Sequence, residues 1–342
     1  MESGGPSVSI VMPAFNSDRW LMQAIESIQA QSLANFELII VDDGSTDKTS
    51  QVAAAAAGED PRIRTVRQDH LGIASALNHG ISLAHAPVVA RMDADDVAAP
   101  DRLQTQLAFL GARPRVAAVG SWAYVMDQLG HKIGELTPAA DSTALQNQLS
   151  KQNPFVHSSV MLRMDAIREV GGYRPVLDGA EDYDLWLRIS ERWLLANIPQ
   201  FLLSYRLHPR SPNAVAVRRQ LLSARLARLA ATARRESRPD FVETLKAPLD
   251  LAALQSLDEL RGTADFYQLL GQPADGRFTS QSLGALGRAE LNHAERKTAQ
   301  FWLKELLAKQ TSWLIQSVVL FWLLRLHPPR GLLLIWSALR GR

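Results

Sequence analysis

The feature that most constrains the fold is an alternation of short apolar runs with helical patterns along the N-terminal part of the chain. The apolar runs have strand length, and apolar residues between them recur at helical spacing. The predicted strands are residues 7–12, 36–41, 63–66 and 88–90, and the helices lie within residues 16–28, 45–57 and 72–84. Because parallel strands are joined by crossover helices, this order predicts an α/β fold with a doubly wound, mostly parallel sheet.

Acidic residues follow the predicted strands. Asp93, Asp95 and Asp96 come directly after the fourth strand, and the second strand ends in the run DDGSTD. Neighbouring carboxylates repel one another unless a cation lies between them, and a divalent ion with oxygen ligands is the usual solution. The alternative is a solvated acidic turn before a helix. Since ligands of doubly wound sheets bind beyond the carboxyl ends of the strands, where Pro13 also lies, the acids favour a metal and diphosphate site.

A second acidic pair lies further along the chain. Glu181 and Asp182 open a predicted helix, and the alternative to a functional role is a capping pair stabilised by the helix dipole. Arg206 and His208 follow the last predicted strand. The elements predicted in this region are a helix at 100–111, a strand at 116–126, a polar insertion to about 153, a strand at 155–163, a helix at 165–170 and a strand at 201–205.

Four motifs in order connect the chain to a known family. DDGSTD, DADD, GGYRP and AEDYDLWLR occur in suitable strand, loop and helix contexts, and the chain therefore resembles the family 2 glycosyltransferases of the Rossmann-like GT-A fold over about residues 7–208. The resemblance implies an enzyme of hexosyltransferase type. It would move a sugar from a nucleotide-sugar, with inversion, to a hydroxyl acceptor in cell-surface polysaccharide, lipopolysaccharide or glycolipid synthesis. The acceptor would be a saccharide or a lipid-linked sugar.

The resemblance also implies a nucleotide site at the ends of the first two strands. Pro13 and Ala14 would contact the base or ribose through their backbone. Asp43, or Asp42 beside it, would accept a hydrogen bond from the N3–H of the base. Uracil has such a group, so a UDP-sugar is the expected donor.

The DADD stretch matches the family's metal-binding motif. Asp95 would bind Mg²⁺ or Mn²⁺, and Asp93 would lie near the metal, the ribose and the sugar. His208 would complete the metal shell, although a histidine after a strand is more often a surface or capping residue. Arg206 would contact phosphate or pair with an acid.

The AEDYDLWLR stretch matches the motif that supplies the family's general base. Asp182 would take the proton from the acceptor hydroxyl, and Glu181 would orient the helix or bind an acceptor hydroxyl. The chain departs from the family at Leu77, which precedes Asn78 where an arginine is frequent. The departure removes one possible nucleotide contact.

Residues 209–342 form a predicted, mainly helical C-terminal region beside a catalytic domain at 1–208. Its most apolar runs, 311–326 and 331–340, carry tryptophan and arginine, which suits helices in a membrane interface. The first run is shorter than the ~20 residues of a spanning helix. The alternatives are two hydrophobic helices that close a helical subdomain or form a dimer contact.

Composition narrows the partners and the compartment. The formal net charge is only +2, so no nucleic acid partner is expected. The chain has no cysteine, which excludes disulfides, thiolate zinc sites and a cysteine nucleophile. The N-terminus lacks the pattern of a signal peptide. We therefore expect a cytoplasmic protein, and the apolar C-terminal runs, together with the lipid-linked acceptors that the family resemblance implies, favour one that is peripheral on the inner face of the cell membrane.

Two other functions share some of these features. A nucleotidyltransferase also places acids at strand ends, but it leaves the Asp182 motif unexplained. A catalytically silent protein that binds a sugar nucleotide and is held at the membrane by its C-terminal region is the alternative from another class. The presence of every expected acid argues against it.

Overall fold

The computed structural model describes residues 4–208 and 214–245. Its strands are β1 (Val8–Ala14), β2 (Phe36–Asp43), β3 (Ile63–Gln68), β4 (Val88–Arg91), β5 (Val97–Ala98), β6 (Val116–Met126), β7 (Lys132–Leu136), β8 (Met161–Arg163) and β9 (Leu194–Arg206). Its α-helices are α1 (Leu21–Gln29), α2 (Thr49–Glu59), α3 (Ile73–Ser82), α4 (Arg102–Gly111), α5 (Ser142–Leu149), α6 (Met164–Glu169), α7 (Glu181–Ile189) and α8 (Ala214–Arg235). Short 3-10 turns lie at His157–Ser159, Pro175–Leu177 and Phe241–Thr244.

The strands form a single sheet in the order β3-β2-β1-β4-β8-β6-β9-β5, with β7 beside β6. The first four strands of this order are parallel, β8 is antiparallel to both of its neighbours, and β6 and β9 are parallel to each other. The predicted α/β fold with a doubly wound, mostly parallel sheet is thus confirmed. Its topology brings the carboxyl ends of β1, β2 and β4 to one edge of the sheet.

The central part of strand β2 is apolar at every position because helices cover both of its faces. Leu38 and Ile40 pack in one core with the apolar face of α1, whereas Ile39 and Val41 pack in a second core with Ala76 of α3. Alternate residues of a strand point to opposite faces, so a strand covered by helices on both faces needs apolar residues throughout. The layers therefore hold the end of β2 rigidly.

The predicted strand at 155–163 is wrong over most of its length. Only Met161–Arg163 forms strand, and a 3-10 turn precedes it. The hydroxyl of Ser158, which is buried in this turn, accepts a hydrogen bond from the backbone N–H of Asp93 at 2.9 Å. Serine side chains compete with sheet hydrogen bonds in this way. The turn consequently lies against the end of β4.

The predicted polar insertion contains regular structure that its sequence pattern did not indicate. It holds β7, which pairs with β6 in an antiparallel hairpin, and helix α5. The Asp141 carboxylate caps α5 by accepting a hydrogen bond from Ala144 N at 2.8 Å. The chain leaves α5 close to Asn153 and the site described below.

Residues 4–208 and 223–244 belong to one compact unit, and residues 214–222 belong to a second. The predicted apolar helices at 311–326 and 331–340 lie outside the described residues, and the predicted domain boundary at 208 stays a prediction. In the described part of the chain, no helix combines the length and apolar character that crossing a bilayer requires.

Candidate active site

Three carboxylates converge where β4 ends. Asp93, Asp95 and Asp96 each offer an oxygen, and the three oxygens lie within 4.8 Å of one another. Asp96 is fully buried; one of its oxygens accepts from the backbone N–H of Arg206 at 2.8 Å, and the other, Oδ2, is buried without a hydrogen-bond partner. The structure thus brings the three acids of the DADD motif together, with one oxygen left without a donor.

The electrostatics of this acid cluster favour a cation. Burial, together with the charges of Asp93 and Asp95, raises the pKa of Asp96 well above its usual range. Burial also raises the pKa of Asp93, against the opposing charge of its ion-pair partner Arg91. Carboxylates that are costly to ionise together are stabilised by a hard divalent ion, which takes oxygen ligands. The donor set and the unpartnered oxygen therefore fit Mg²⁺ or Mn²⁺.

His208 lies beside the acid cluster, as its predicted role requires. Its Nε2 is 2.5 Å from Asp95 Oδ2, and the edge of the Trp20 indole packs on the imidazole with ring centroids 4.7 Å apart. The side chain comes from the segment after β9, far from Asp95 in sequence. The structure brings the two predicted ligands together.

Arg206, predicted to contact phosphate or to pair with an acid, bonds to carbonyl groups of the protein. Its guanidinium donates to the carbonyl of Asp95 at 2.8 Å, to the carbonyls of Asp127 and Gln128, and to the side chain of Gln23. The residue is buried. Through these donors the side chain holds the backbone of the acid cluster.

Asp42 has a structural role at the end of β2. It is 1% exposed and accepts hydrogen bonds from the backbone N–H of Ser45 and the guanidinium of Arg67, both at 2.9 Å, and from Ser50. Burial would raise its pKa, but these donors outweigh burial and lower it. Asp42 thus closes the DDGS turn, and its role as a nucleotide contact stays a prediction.

Asp43, the other aspartate predicted to contact the nucleotide base, is also buried at the end of β2. It accepts from the backbone N–H groups of Leu71 and Gly72, both at 3.0 Å, and from Gln68 Nε2 at 2.7 Å, and it lies 2.9 Å from His70 Nδ1. The ring of Phe15 stacks on His70 with centroids 4.0 Å apart, and Phe15 is 43% exposed. Sequence reasoning missed this aromatic pair, although an aromatic residue directly after a strand end was visible.

Pro13 and Ala14 end the buried strand β1. They pair in register with Val41 and Asp42 of β2. Their backbone therefore lies at the same sheet edge as Asp43, and the structure brings the predicted nucleotide contacts together.

Asp182 is held in the first turn of α7. Its Oδ2 accepts a hydrogen bond from Asn153 Nδ2 at 2.5 Å, and its Oδ1 accepts from the backbone N–H of Tyr183 at 2.6 Å. His157 Nδ1 lies 3.8 Å from Oδ2, and the Asp182 side chain is 13% exposed. Burial raises the pKa of Asp182, against these two donors. A carboxylate with a raised pKa and a small open surface suits proton transfer.

Glu181 is buried beside Asp182. Its Oε2 accepts from the backbone N–H of Gly179 at 2.9 Å, so the side chain closes the loop before α7. Burial, and then the charge of Asp182, raise the pKa of Glu181 to about 8. Glu181 therefore lies at the helix start, and its role, in orienting the helix or in binding an acceptor hydroxyl, stays a prediction.

Glu181→Gln is expected to change the pH dependence of stability. A carboxyl whose pKa is raised from 4.5 to about 8 on folding contributes stability that is full below pH 4.5 and is lost as pH rises through 8. The variant keeps the acceptor for Gly179 but does not ionise. Its melting temperature, relative to wild type, should therefore increase between those pH values. Glu59→Gln, at an exposed helix end, is the control; equal behaviour of the two variants would refute the assignment.

The loop before α7 is joined to α3 through Asn78. The Asn78 amide accepts from Tyr173 N at 2.9 Å and donates to Tyr173 O at 2.8 Å. The Tyr173 hydroxyl lies 3.0 Å from Nε2 of His157, the histidine beside Asp182. Asn78 thus fixes the position of the loop that leads to Asp182.

Gly172→Ala is expected to be more destabilising than Gly171→Ala. Both glycines have positive φ values, +74° and +77°, which cost an alanine ~1–3 kcal/mol. A Cβ at Gly172 would also lie 2.7 Å from Asn78 Oδ1, whereas a Cβ at Gly171 would meet nothing. Urea denaturation of both variants measures the difference, which reports the Asn78 contact. Equal losses of stability in the two variants would contradict the close contact between residue 172 and Asn78.

Asp184, in the same motif, belongs to an ion-pair network. It is fully buried and pairs with Arg174 of the GGYRP loop and with Arg188 one turn later on α7. Arg174 also bonds to Asp240 at 2.8 Å. The third acid of the EDYD sequence is therefore bonded within the fold.

This protein combines a doubly wound sheet, an acid cluster at the carboxyl edge of that sheet, and a separate buried carboxylate at a helix start. These features are typical of nucleotide-dependent transferases with the GT-A fold. Residues 9–171 match the family described as glycosyl transferase family 2. The amylovoran biosynthesis glycosyltransferase AmsE of Erwinia amylovora is 32% identical over 202 residues, which are 58% of this chain and 75% of AmsE. The chain belongs to glycosyl transferase family 2 and is a glycosyltransferase.

Solved structures agree on the fold. S. aureus TarS in complex with UDP-GlcNAc is 14% identical, with a TM-score of 0.55. The match covers 97% of this chain and 89% of the TarS chain. The mannosyltransferase PcManGT from Pyrobaculum calidifontis, in complex with GDP-Man and Mn²⁺, is 20% identical, with a TM-score of 0.53. The match covers 96% of this chain and 88% of the PcManGT chain. At these identities the likeness shows the GT-A fold.

Proposed function

We propose that the protein is an inverting, metal-dependent glycosyltransferase that moves a sugar from a nucleotide-sugar, a UDP-sugar in the first place, to a hydroxyl acceptor. The observation that carries this proposal is the placement of Asp182. Its carboxylate is mostly buried, has a small open surface, and comes from a different element than the acid cluster after β4. One site can thus hold a leaving group while a separate base acts on the acceptor.

Asp182 would act as the general base. It would take the proton of the acceptor hydroxyl as the hydroxyl oxygen forms a bond to the anomeric carbon of the sugar. The bond from that carbon to the diphosphate oxygen would break on the opposite face, and the nucleoside diphosphate would leave. One displacement inverts the anomeric configuration. The raised pKa of Asp182 makes the carboxylate a stronger base than an exposed aspartate.

The acid cluster would hold the metal. Asp93 and Asp95 with His208 are the proposed ligands, and the unpartnered oxygen of Asp96 adds a fourth possible donor. Bound there, Mg²⁺ or Mn²⁺ would neutralise the charge that develops on the leaving diphosphate. Arg206 would position the cluster through the carbonyl of Asp95. The Mn²⁺ complex of PcManGT is consistent with such a site.

The nucleotide would lie along the ends of β1 and β2. Asp43, the backbone of Pro13 and Ala14, and the exposed ring of Phe15 stacked on His70 offer a hydrogen-bond acceptor and an aromatic surface for a base. TarS was solved with UDP-GlcNAc and PcManGT with GDP-Man, so both uracil and guanine occur among proteins with this fold. We favour a UDP-sugar because the resemblance to the family implies that Asp43, or Asp42, accepts from the N3–H of uracil.

The acceptor would belong to a cell-surface polysaccharide, lipopolysaccharide or glycolipid. AmsE is named for amylovoran biosynthesis, which supports a saccharide product for this family member. We place the enzyme in the cytoplasm, peripheral to the inner face of the cell membrane through its C-terminal region.

Thermal stability against nucleotide-sugars tests the proposed function. Purified protein is melted with UDP-, GDP- and dTDP-sugars, each with and without Mn²⁺. A ligand that binds only the folded state increases the free energy of unfolding by mass action, by ~2.7 kcal/mol at a ligand concentration of one hundred times its Kd. The melting temperature rises as a result. We expect a metal-dependent increase with UDP-sugars. An increase confined to GDP- or dTDP-sugars would overturn the choice of base, and no increase from folded protein would overturn the proposed function.

A further inference from the structure

One segment, residues 153–159, contacts both groups of acids. Its Ser158 hydroxyl accepts from the backbone N–H of Asp93 at 2.9 Å, and its Asn153 amide donates to Asp182 at 2.5 Å. The hydrogen bonds of one short segment therefore connect the acid cluster after β4 with the acid on α7. No motif of the sequence analysis includes Asn153.

The amide orientation of Asn153 follows from its second hydrogen bond. The backbone N–H of Phe155 lies 3.1 Å from Asn153 Oδ1. A backbone N–H can only donate, so the carbonyl oxygen of the amide faces Phe155 and the NH₂ group faces Asp182. Asn153 thus combines a local turn contact with a donor directed at the carboxylate.

We propose that Asn153 is a positioning residue that orients the Asp182 carboxylate toward the acceptor hydroxyl, an inference that rests on the proposed role of Asp182 as base. Asn153 holds Oδ2, and the backbone N–H of Tyr183 holds Oδ1. With both oxygens held, the carboxylate presents its remaining lone pairs in one fixed direction. A misplacement of a catalytic group by about 1 Å costs on the order of 10²-fold in rate.

Other charged or titratable groups face Asp182 as well. They are Glu181 on the same helix, His157 in the 3-10 turn, Tyr173 in the preceding loop and Arg91 at the end of β4. A substitution at Asn153 leaves all of them in place. The donor bond from Asn153 favours the ionised carboxylate, so its loss should raise the pKa of Asp182 further.

The kinetic test uses Asn153→Asp and Asn153→Ala. Alanine removes the donor to Asp182 and adds no charge, whereas the isosteric aspartate keeps the acceptor for Phe155 but places a second carboxyl beside Asp182, so the aspartate variant tests whether the turn contact alone is sufficient. The probes are UDP-N-acetylglucosamine and GDP-mannose with Mn²⁺, and the readout is nucleoside diphosphate release with water as acceptor.

We expect kcat of the variants to fall by ~10- to 100-fold with the donor KM nearly unchanged. The acid limb of the pH–rate profile should move up by about one pH unit in Asn153→Ala.

Asn147→Asp is the matched control, because Asn147 lies exposed on α5 just before this segment. It should retain wild-type turnover and pH profile. If both Asn153 variants match this control, the proposal is overturned.

A second measurement does not need turnover. Melting temperatures of wild type, Asn153→Ala, Asp182→Asn and the double variant are recorded across pH 4–9. Loss of the donor raises the folded-state pKa of Asp182, so the stability deficit of Asn153→Ala should grow as pH rises through that pKa. In the Asp182→Asn background the deficit should not depend on pH. A pH-independent deficit in both backgrounds would overturn the proposal. Absence of wild-type turnover would count against the proposed function alone, since this cycle still decides the contact.

Discussion

Asp182→Asn is expected to reduce sugar transfer by about 10²–10⁴-fold, the contribution of a positioned general base. Asparagine has nearly the same shape, but its amide accepts no proton; its carbonyl oxygen can still accept from Tyr183, whereas its NH₂ group replaces the oxygen that accepts from Asn153. Binding of the nucleotide-sugar should be retained, because Asp182 lies on α7 and the proposed nucleotide contacts lie at the ends of β1 and β2. Initial rates of transfer and calorimetric titration with UDP separate the two effects.

Asp165→Asn is the control for this substitution. Asp165 also lies in the first turn of a helix, α6, but it is exposed. It should keep full activity. Turnover that survives in Asp182→Asn would show that another group acts as base, and loss of UDP binding together with turnover would show that the variant has disturbed the fold.

Asp95→Ala is expected to abolish metal-dependent binding of the nucleotide-sugar. Asp95 supplies one of the converging oxygens and contacts His208, so its removal takes away a proposed ligand and the partner of another. We expect the Mn²⁺-dependent increase in melting temperature to disappear and the affinity for Mn²⁺ to fall by at least ~10- to 100-fold, since losing even a supporting contact of a metal site has that effect.

Asp101→Ala provides the comparison for the metal prediction, because Asp101 is exposed and follows the same acidic stretch. It removes one negative charge near the site without touching the acid cluster. A Mn²⁺-dependent shift that persists in Asp95→Ala would exclude Asp95 as a ligand. Equal losses in the two variants would point to net charge as the cause.

The fold was predictable because its signals are local. The alternation of β1 to β4 with helices is visible in the spacing of apolar residues, and the central part of β2 is apolar throughout because helices cover both of its faces. The convergence of Pro13, Asp43 and Asp93 at one edge follows from parallel topology alone. These positions required no knowledge of any single contact.

Other positions could not be predicted from their neighbours in sequence. The predicted strand at 155–163 has suitable apolar residues, yet a buried serine turn replaces most of it because Ser158 bonds to the backbone of Asp93. The sequence suggests that Arg206 contacts phosphate or pairs with an acid, but its guanidinium donates to the carbonyls of Asp95 and of the adjacent residues Asp127 and Gln128, and to the side chain of Gln23. Such partners are close only after the chain has folded.

The sequence by itself determined the fold class, the acid cluster and the acid pair at the start of α7, because each depends on residue type and on spacing along the chain. The tertiary structure alone decided which acids are available for chemistry. Asp42 and Asp184 are buried in hydrogen bonds and ion pairs, whereas Asp96 keeps an unpartnered oxygen and Asp182 keeps a small open surface. Burial and partners set the charge and direction of a carboxylate, and both come from residues distant in sequence.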